Sequence, residues 1–177
     1  KVWDQSGHIL PVEEGYIVIV YNETIIAEEE LPLPSSLDDL LDPRYRDLVT
    51  YPDPVRSGTG LSFLTWVLAE KGEEAGWLYL ERLKENVVFY PTGWTEAMDA
   101  FMKGEVAVGV MFNTDTVYSE TPNLNSTMVR GFVYREGIAL VKGAPHREAA
   151  KKFIEFMLSK EGQDLAAPYG YVYPVHP

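Results

Sequence analysis

Residues 53–60, Asp-Pro-Val-Arg-Ser-Gly-Thr-Gly, set small and polar residues directly ahead of an apolar helical pattern. Ser57, Gly58, Thr59 and Gly60 can turn main-chain N–H groups and hydroxyls toward one point at the positive end of a helix, a cup for an anion or a hydroxyl. The same residues also make a plain connector, and the pattern leaves both readings open. A nucleotide fingerprint does not fit. A P-loop needs Lys-Ser/Thr after its last glycine, where this chain has Leu61-Ser62, and a dinucleotide loop needs a third glycine. Trp94, between Gly93 and Thr95, marks the point where a strand pattern gives way to a helical one. Ligands collect at such strand ends in open α/β sheets, so its indole is either a stacking face or core packing. Tyr118 follows an apolar run, and Tyr169, Tyr171 and Tyr173 crowd the C-terminal segment. Aromatic faces on an acidic surface suit a flat cationic heterocycle.

Reaction chemistry finds little in the sequence. His8, His146 and His176 lie in loop-like segments without metal-ligand spacing, and there is no Gly-x-Ser-x-Gly nucleophile turn. The carboxylates are many, but their spacing singles out no acid–base pair. The absence of cysteine removes thiolate catalysis, disulfides and thiolate metal sites together. The two Asn-x-Ser/Thr sequons, at Asn22 and Asn125, are too common a pattern to carry weight. The expectation is a protein that is no enzyme and uses no metal or cofactor.

The elements that must hold these residues follow from composition and periodicity. With 177 residues and 46% hydrophobic content the chain can bury a core, and a formal charge of -12 repels nucleic acid. No apolar run reaches membrane-spanning length. The chain opens with Lys1 and enters a strand pattern almost at once, which reads as a piece of a longer protein. Strands are expected over 15–22, 47–51, 86–90 and 106–112, and a hairpin over 129–143 turning at 135–137. Helices are expected at 37–43, after the Ser57 loop with Leu61, Leu64 and Leu68 inward, and at 73–86 with Trp77, Leu80 and Leu83 on one side. Further helices are expected at 92–105 on Met98, Phe101 and Met102, from Pro145 on Ala149, Phe153 and Met157, and after a Ser159 cap. Trp66 and Trp77 read as core. Strands alternating with helices give an α/β class with a largely parallel or mixed sheet.

Four segments, 34–72, 92–112, 152–164 and 169–175, resemble the thiamine-binding periplasmic proteins of ABC transporters, within the group of two-lobed receptors that also holds ferric-ion and polyamine binders. The likeness covers nearly the whole chain in order, and its most specific piece is Gly-Trp-Thr-Glu-Ala at 93–97. It implies a lobe of the type II periplasmic-binding-protein fold, a mixed, mostly parallel sheet flanked by helices. On this reading residues 1–177 form the second lobe, with 1–14 and 168–177 as crossover segments and the N-terminal lobe outside the sequence. The resemblance assigns a ligand-binding set. Ser57, with Gly58 and Thr59, takes the phosphate or hydroxyethyl end, Trp94 stacks on the ligand, and Tyr118 lines the cleft. Tyr171 stands where the family usually carries tryptophan, and Asp115 where relatives have a small hydroxyl. A carboxylate there favours a cation, so free thiamine is expected over its diphosphate. The implied partner is a membrane permease, with membrane contact only through it or through a lipid anchor outside the sequence, and the implied location is periplasmic or cell-surface. Another organic cation such as a polyamine, or ferric ion, stays as an alternative. Against iron, Tyr118 stands alone where the ferric binders carry adjacent tyrosines. A sensor or interaction domain on the same fold, and a disfavoured α/β hydrolase, are the readings from other classes.

Overall fold

The computed structural model describes residues 4–118, 123–170 and 173–175. The chain divides into two compact units, Tyr16–Phe132 and a unit made of Lys1–Gly15 with Val133–Pro177.

The Tyr16–Phe132 unit is a mixed sheet flanked by helices. Its elements are β1 (Leu10–Asn22, entering from the other unit), α1 (Glu23–Glu28), β2 (Val49–Thr50), α2 (Gly58–Lys71), α3 (Glu73–Leu83), β3 (Val87–Phe89), α4 (Trp94–Met102), β4 (Val108–Phe112), α5 (Asp115–Tyr118) and the first part of β5 (Leu124–Ile138). The strand order is β3-β2-β4-β1-β5. β2 runs parallel to both β3 and β4, whereas β1 is antiparallel to β4, with Ile17 opposite Phe112 and Tyr21 opposite Val108. Ile17 to Val20 are at most 3% exposed, as an apolar strand without a polar face requires when both faces are covered. At the end of β1, Asn22 caps α1 by accepting from the N–H groups of Thr24 and Ile25, so this sequon asparagine is a buried structural residue.

Helix α2 buries a different face from the one its leucines suggest. Phe63, Trp66 and Val67 are in the core, while Leu61 is 53% exposed. Two features select this face. Phe63 packs on Tyr51 with ring centroids 4.7 Å apart, and Gly60 lets the first turn press onto the chain at Pro52. A Cβ on Gly60 would lie 2.1 Å from the Pro52 carbonyl oxygen. In α3 the inner face is Gly76, Tyr79 and Leu83, and the Tyr79 hydroxyl donates to the Leu37 carbonyl at 2.7 Å. Trp77 is left 52% exposed, so it is a surface residue and not core. Helix α4 buries Met98 and Phe101 as expected, with Met102 outside. The Phe101 ring covers Gly109 of β4, where a Cβ would come within 2.7 Å of it.

In the other unit, the early part of β1 pairs antiparallel with β6 (Tyr173–Pro174), Glu14 facing Tyr173. The expected hairpin is absent: β5 runs unbroken to Ile138. A tight hairpin turn needs positive φ, and none of residues 135–137 has it. Instead Arg135 pairs with Glu14, and the Tyr134 hydroxyl donates to Glu136. Helix α6 (Arg147–Met157) starts two residues after Pro145, and its half-buried stripe is Ala150, Ile154 and Met157 rather than Phe153, which is 57% exposed. Helix α7 (Lys160–Gly170) is opened by Ser159, whose hydroxyl accepts from the Gly162 N–H at 3.1 Å. The Gln163 amide ties α7 into this unit, donating to Val12 and Met157 carbonyls and accepting from the Val175 N–H.

Candidate functional site

The parallel strands β3, β2 and β4 are neighbours, and each is followed by a helix start: α4 after β3, α2 after β2 and α5 after β4. Their loops therefore share one edge of the sheet, the side where open α/β sheets collect ligands. Hydrogen bonds tie these loops together. The Thr50 hydroxyl donates to the Phe89 carbonyl at 3.0 Å, and the Asp53 N–H to the Pro91 carbonyl at 2.8 Å. Between the β3 and β4 loops, the Trp94 indole Nε1–H donates to Asp115 Oδ2 at 2.9 Å.

The β2 loop is shaped by Asp53. Its carboxylate accepts from the Val55 N–H at 2.8 Å, and its carbonyl from the N–H groups of Arg56 and Ser57. That turn delivers Ser57 in extended backbone at the N-cap of α2, where its side chain makes no capping bond. Among the described residues, no bond to the first-turn N–H groups of Gly58, Thr59 or Gly60 joins the helix to the rest of the chain. With the Ser57 N–H taken by Asp53, three N–H groups remain at this end with the dipole behind them, which favours a negative or hydroxyl group. The residues contribute unequally. Ser57 is half-buried and Gly58 exposed, whereas Thr59 is buried, so Thr59 offers its main chain more than its hydroxyl. Gly60 is explained by packing.

At the β3 loop, Gly93 is the N-cap of α4 and Trp94 its first residue. Glu96 reaches back to accept from the N–H and hydroxyl of Thr92, at 2.6 and 2.9 Å, fixing the chain just ahead of the helix. These bonds, assisted by Arg56, hold its carboxyl below the usual range. Trp94 is half-buried. It packs against the cluster of Met98, Phe101, Val18, Met111 and Leu124 and keeps part of its surface open.

Asp115 is fully buried, at 0% exposure. The Phe112 N–H donates to the same Oδ2 that the indole uses, at 2.9 Å, while Oδ1 has no hydrogen-bond partner among the described residues. Burial pushes this carboxyl up to about 6, against the downward pull of its two hydrogen bonds. Asp115 was expected in contact with a cation; its carboxyl is buried and lies at the Nε1 edge of the Trp94 indole. Tyr118 ends α5, and its side chain lies outside the described residues, as does Tyr171 entirely.

Sequence reasoning passed over Tyr90. It is 45% exposed at the end of β3, with its ring edge-on to buried Tyr51 at 5.2 Å. The signal was available: β2 and β3 both run out into Tyr-Pro, at 51–52 and 90–91, and neighbouring parallel strands set the two pairs side by side. Among the described residues no group of three or more His, Asp or Glu could hold a metal ion. A groove of about 380 Å³ between the 38–41 turn and α3, lined by Leu41, Lys71, Leu78 and Arg82 among others, includes none of the residues above.

Comparison with known proteins agrees with this architecture. Residues 1–177 match the family described as bacterial extracellular solute-binding protein. A thiamine-binding periplasmic protein of Brucella abortus is 28% identical over 173 residues, which is 93% of this chain and 50% of that protein. A putative 2-aminoethylphosphonate-binding periplasmic protein of Salmonella typhimurium is 28% identical over 187 residues, 97% of this chain and 53% of that protein. Among solved structures, a periplasmic thiamin binding protein superposes with a TM-score of 0.88 at 25% identity, over 99% of this chain and 55% of that one. The chain thus spans about half the length of the curated relatives it matches.

Proposed function

The chain belongs to the bacterial extracellular solute-binding protein family, a family of binding proteins and not of enzymes, and on that premise we propose that it forms one lobe of a receptor serving an ABC importer. In this reading the strand-end edge carrying Ser57, Gly58, Thr59, Trp94 and Tyr118 is one wall of a cleft, and the rest of the full-length protein supplies the other. Residues 1–14 and 168–177 are the crossover segments. Closure around the ligand then presents the receptor to its permease outside the cytoplasm.

The ligand proposed is thiamine or a thiamine phosphate. The observation that carries this is the pairing of a half-buried indole, backed by a carboxylate, with an unpaired helix start one strand away. An aromatic face whose ring N–H bonds a carboxylate suits the flat cationic ring, and the Ser57–Thr59 turn suits a hydroxyl or phosphate at the other end. A second reading is a small aminophosphonate, favoured by the same turn and by the Salmonella relative, but it leaves the indole face without a flat partner. Calorimetric titration of the full-length protein with thiamine, thiamine phosphate and 2-aminoethylphosphonate distinguishes them. Tightest binding of either thiamine compound supports the proposal; binding of the phosphonate alone overturns it.

A further inference from the structure

Asp115 is costly for a residue that only holds a ring in place. Two donors, the Trp94 indole and the Phe112 N–H, converge on Oδ2, while Oδ1 is enclosed without a partner among the described residues. A neutral acceptor such as asparagine would take the same two bonds without burying an ionisable group. What a carboxylate adds is charge in a dry place. The groups acting on it are the indole from α4 and the main-chain N–H from β4, with no described side chain of opposite charge adding to them. A positive charge brought over the Trp94 face would be its counter-ion.

We propose that Asp115 is the positioning and charge-tuning residue of the Trp94 platform: its ionised carboxylate orients the indole and strengthens the hold on a cation, and a proton on Oδ1 weakens that hold. The inference rests on the reading of Trp94 as a cation platform. A charged acceptor shortens and strengthens the indole bond and makes the face more negative. By reciprocity, if ionisation helps the cation bind, the cation drives ionisation, so binding releases a proton from Asp115 to solvent. This carboxyl titrates near neutrality, at about 6, so both forms are accessible under ordinary conditions.

The test is calorimetry of thiamine binding to the full-length protein, wild type, D115N and W94A, in buffers of different ionisation enthalpy. The thiazolium charge is permanent, and other titrations of the ligand or protein are common to wild type and D115N and cancel between them. With coupling of about fivefold, the low end for linked sites, wild type releases about 0.3 proton more than D115N near pH 6. Its affinity falls about 3.5-fold more than that of D115N on going from about pH 7.5 to about pH 5. D115N keeps both hydrogen bonds to an oxygen, so a merely structural role would leave the two proteins with matching proton release and parallel pH profiles. That result overturns the inference while leaving the platform standing, provided W94A has lost affinity. Unchanged affinity in W94A overturns the platform and the inference with it.

Discussion

The helix starts of α2 and α4 lie one strand apart in the sheet order, and both lack a side-chain cap, but they are held by different means. At α4 Glu96 reaches back past the N-cap to Thr92, and the indole of Trp94 is anchored on Asp115, though the N-cap Gly93 itself makes no side-chain bond. At α2 the N-cap Ser57 makes no side-chain bond, and the turn is held instead by backbone packing at Gly60. The contrast separates two jobs. An aromatic platform works only if its ring is fixed, which the bond to Asp115 provides; an anion or hydroxyl site works only if its donors are left over. The glycines express the same division. A Cβ on Gly60 meets the Pro52 carbonyl, while a Cβ on Gly93 meets nothing within 4 Å.

Alanine at these two glycines is the strongest way to break the comparison. Gly60→Ala is expected to destabilise the protein by about 3 kcal/mol through overpacking against backbone that cannot yield, whereas Gly93→Ala, in extended backbone with open space around it, stays within about 0.5 kcal/mol. Denaturant unfolding reads both, and equal effects would mean that the two starts are packed alike.

Next in size is the pH dependence of stability from Asp115. Its folded-state value is raised from 3.8 to about 6, so the folded form binds the proton more tightly than the unfolded form. The protonated form is favoured fully below pH 3.8, and that advantage is lost as pH rises through about 6, a loss of order 3 kcal/mol by neutral pH. In D115N this fall between about pH 4 and pH 7 disappears while other carboxylates keep theirs. Parallel stability profiles for the two proteins would show that the carboxyl is not held as the structure has it.

Much of this site was legible from residue types, because strand-to-helix junctions are written in local pattern. The Ser-Gly-Thr-Gly loop and the Gly-Trp turn both sit where their sequence neighbours put them, at N-caps following apolar strands. What local pattern could not supply was the choice among competing faces. In α2 a leucine stripe and an aromatic stripe were both available, and the contact with Tyr51 and the close approach at Gly60 selected the second. In α3, Trp77 lost the inner face to Gly76 and Tyr79 because a glycine there admits the Leu68 side chain of α2. The missed continuity of β5 has the same origin. Arg-Glu-Gly at 135–137 has turn composition, but pairing of Arg135 with Glu14 keeps it extended. Asp115 was picked out by type, yet its burial depended on a partner 21 residues away.

Smallest in expected effect is Ser57→Ala. Because the hydroxyl makes no capping bond, stability is expected to change by less than about 0.5 kcal/mol, while affinity for a ligand bearing a terminal hydroxyl or phosphate falls by about 1 kcal/mol. A loss of stability without loss of affinity would make Ser57 a structural residue of this helix start.

The central claim, that Trp94 is a platform for a cationic ring, is tested most directly by Trp94→Ala in the full-length protein. Thiamine affinity and melting temperature are measured on the same preparation. The account predicts a loss of about 1–3 kcal/mol in binding, by analogy with aromatic stacking on nucleobases, with the folded state retained. Unchanged affinity together with a lowered melting temperature would contradict it and return Trp94 to the core.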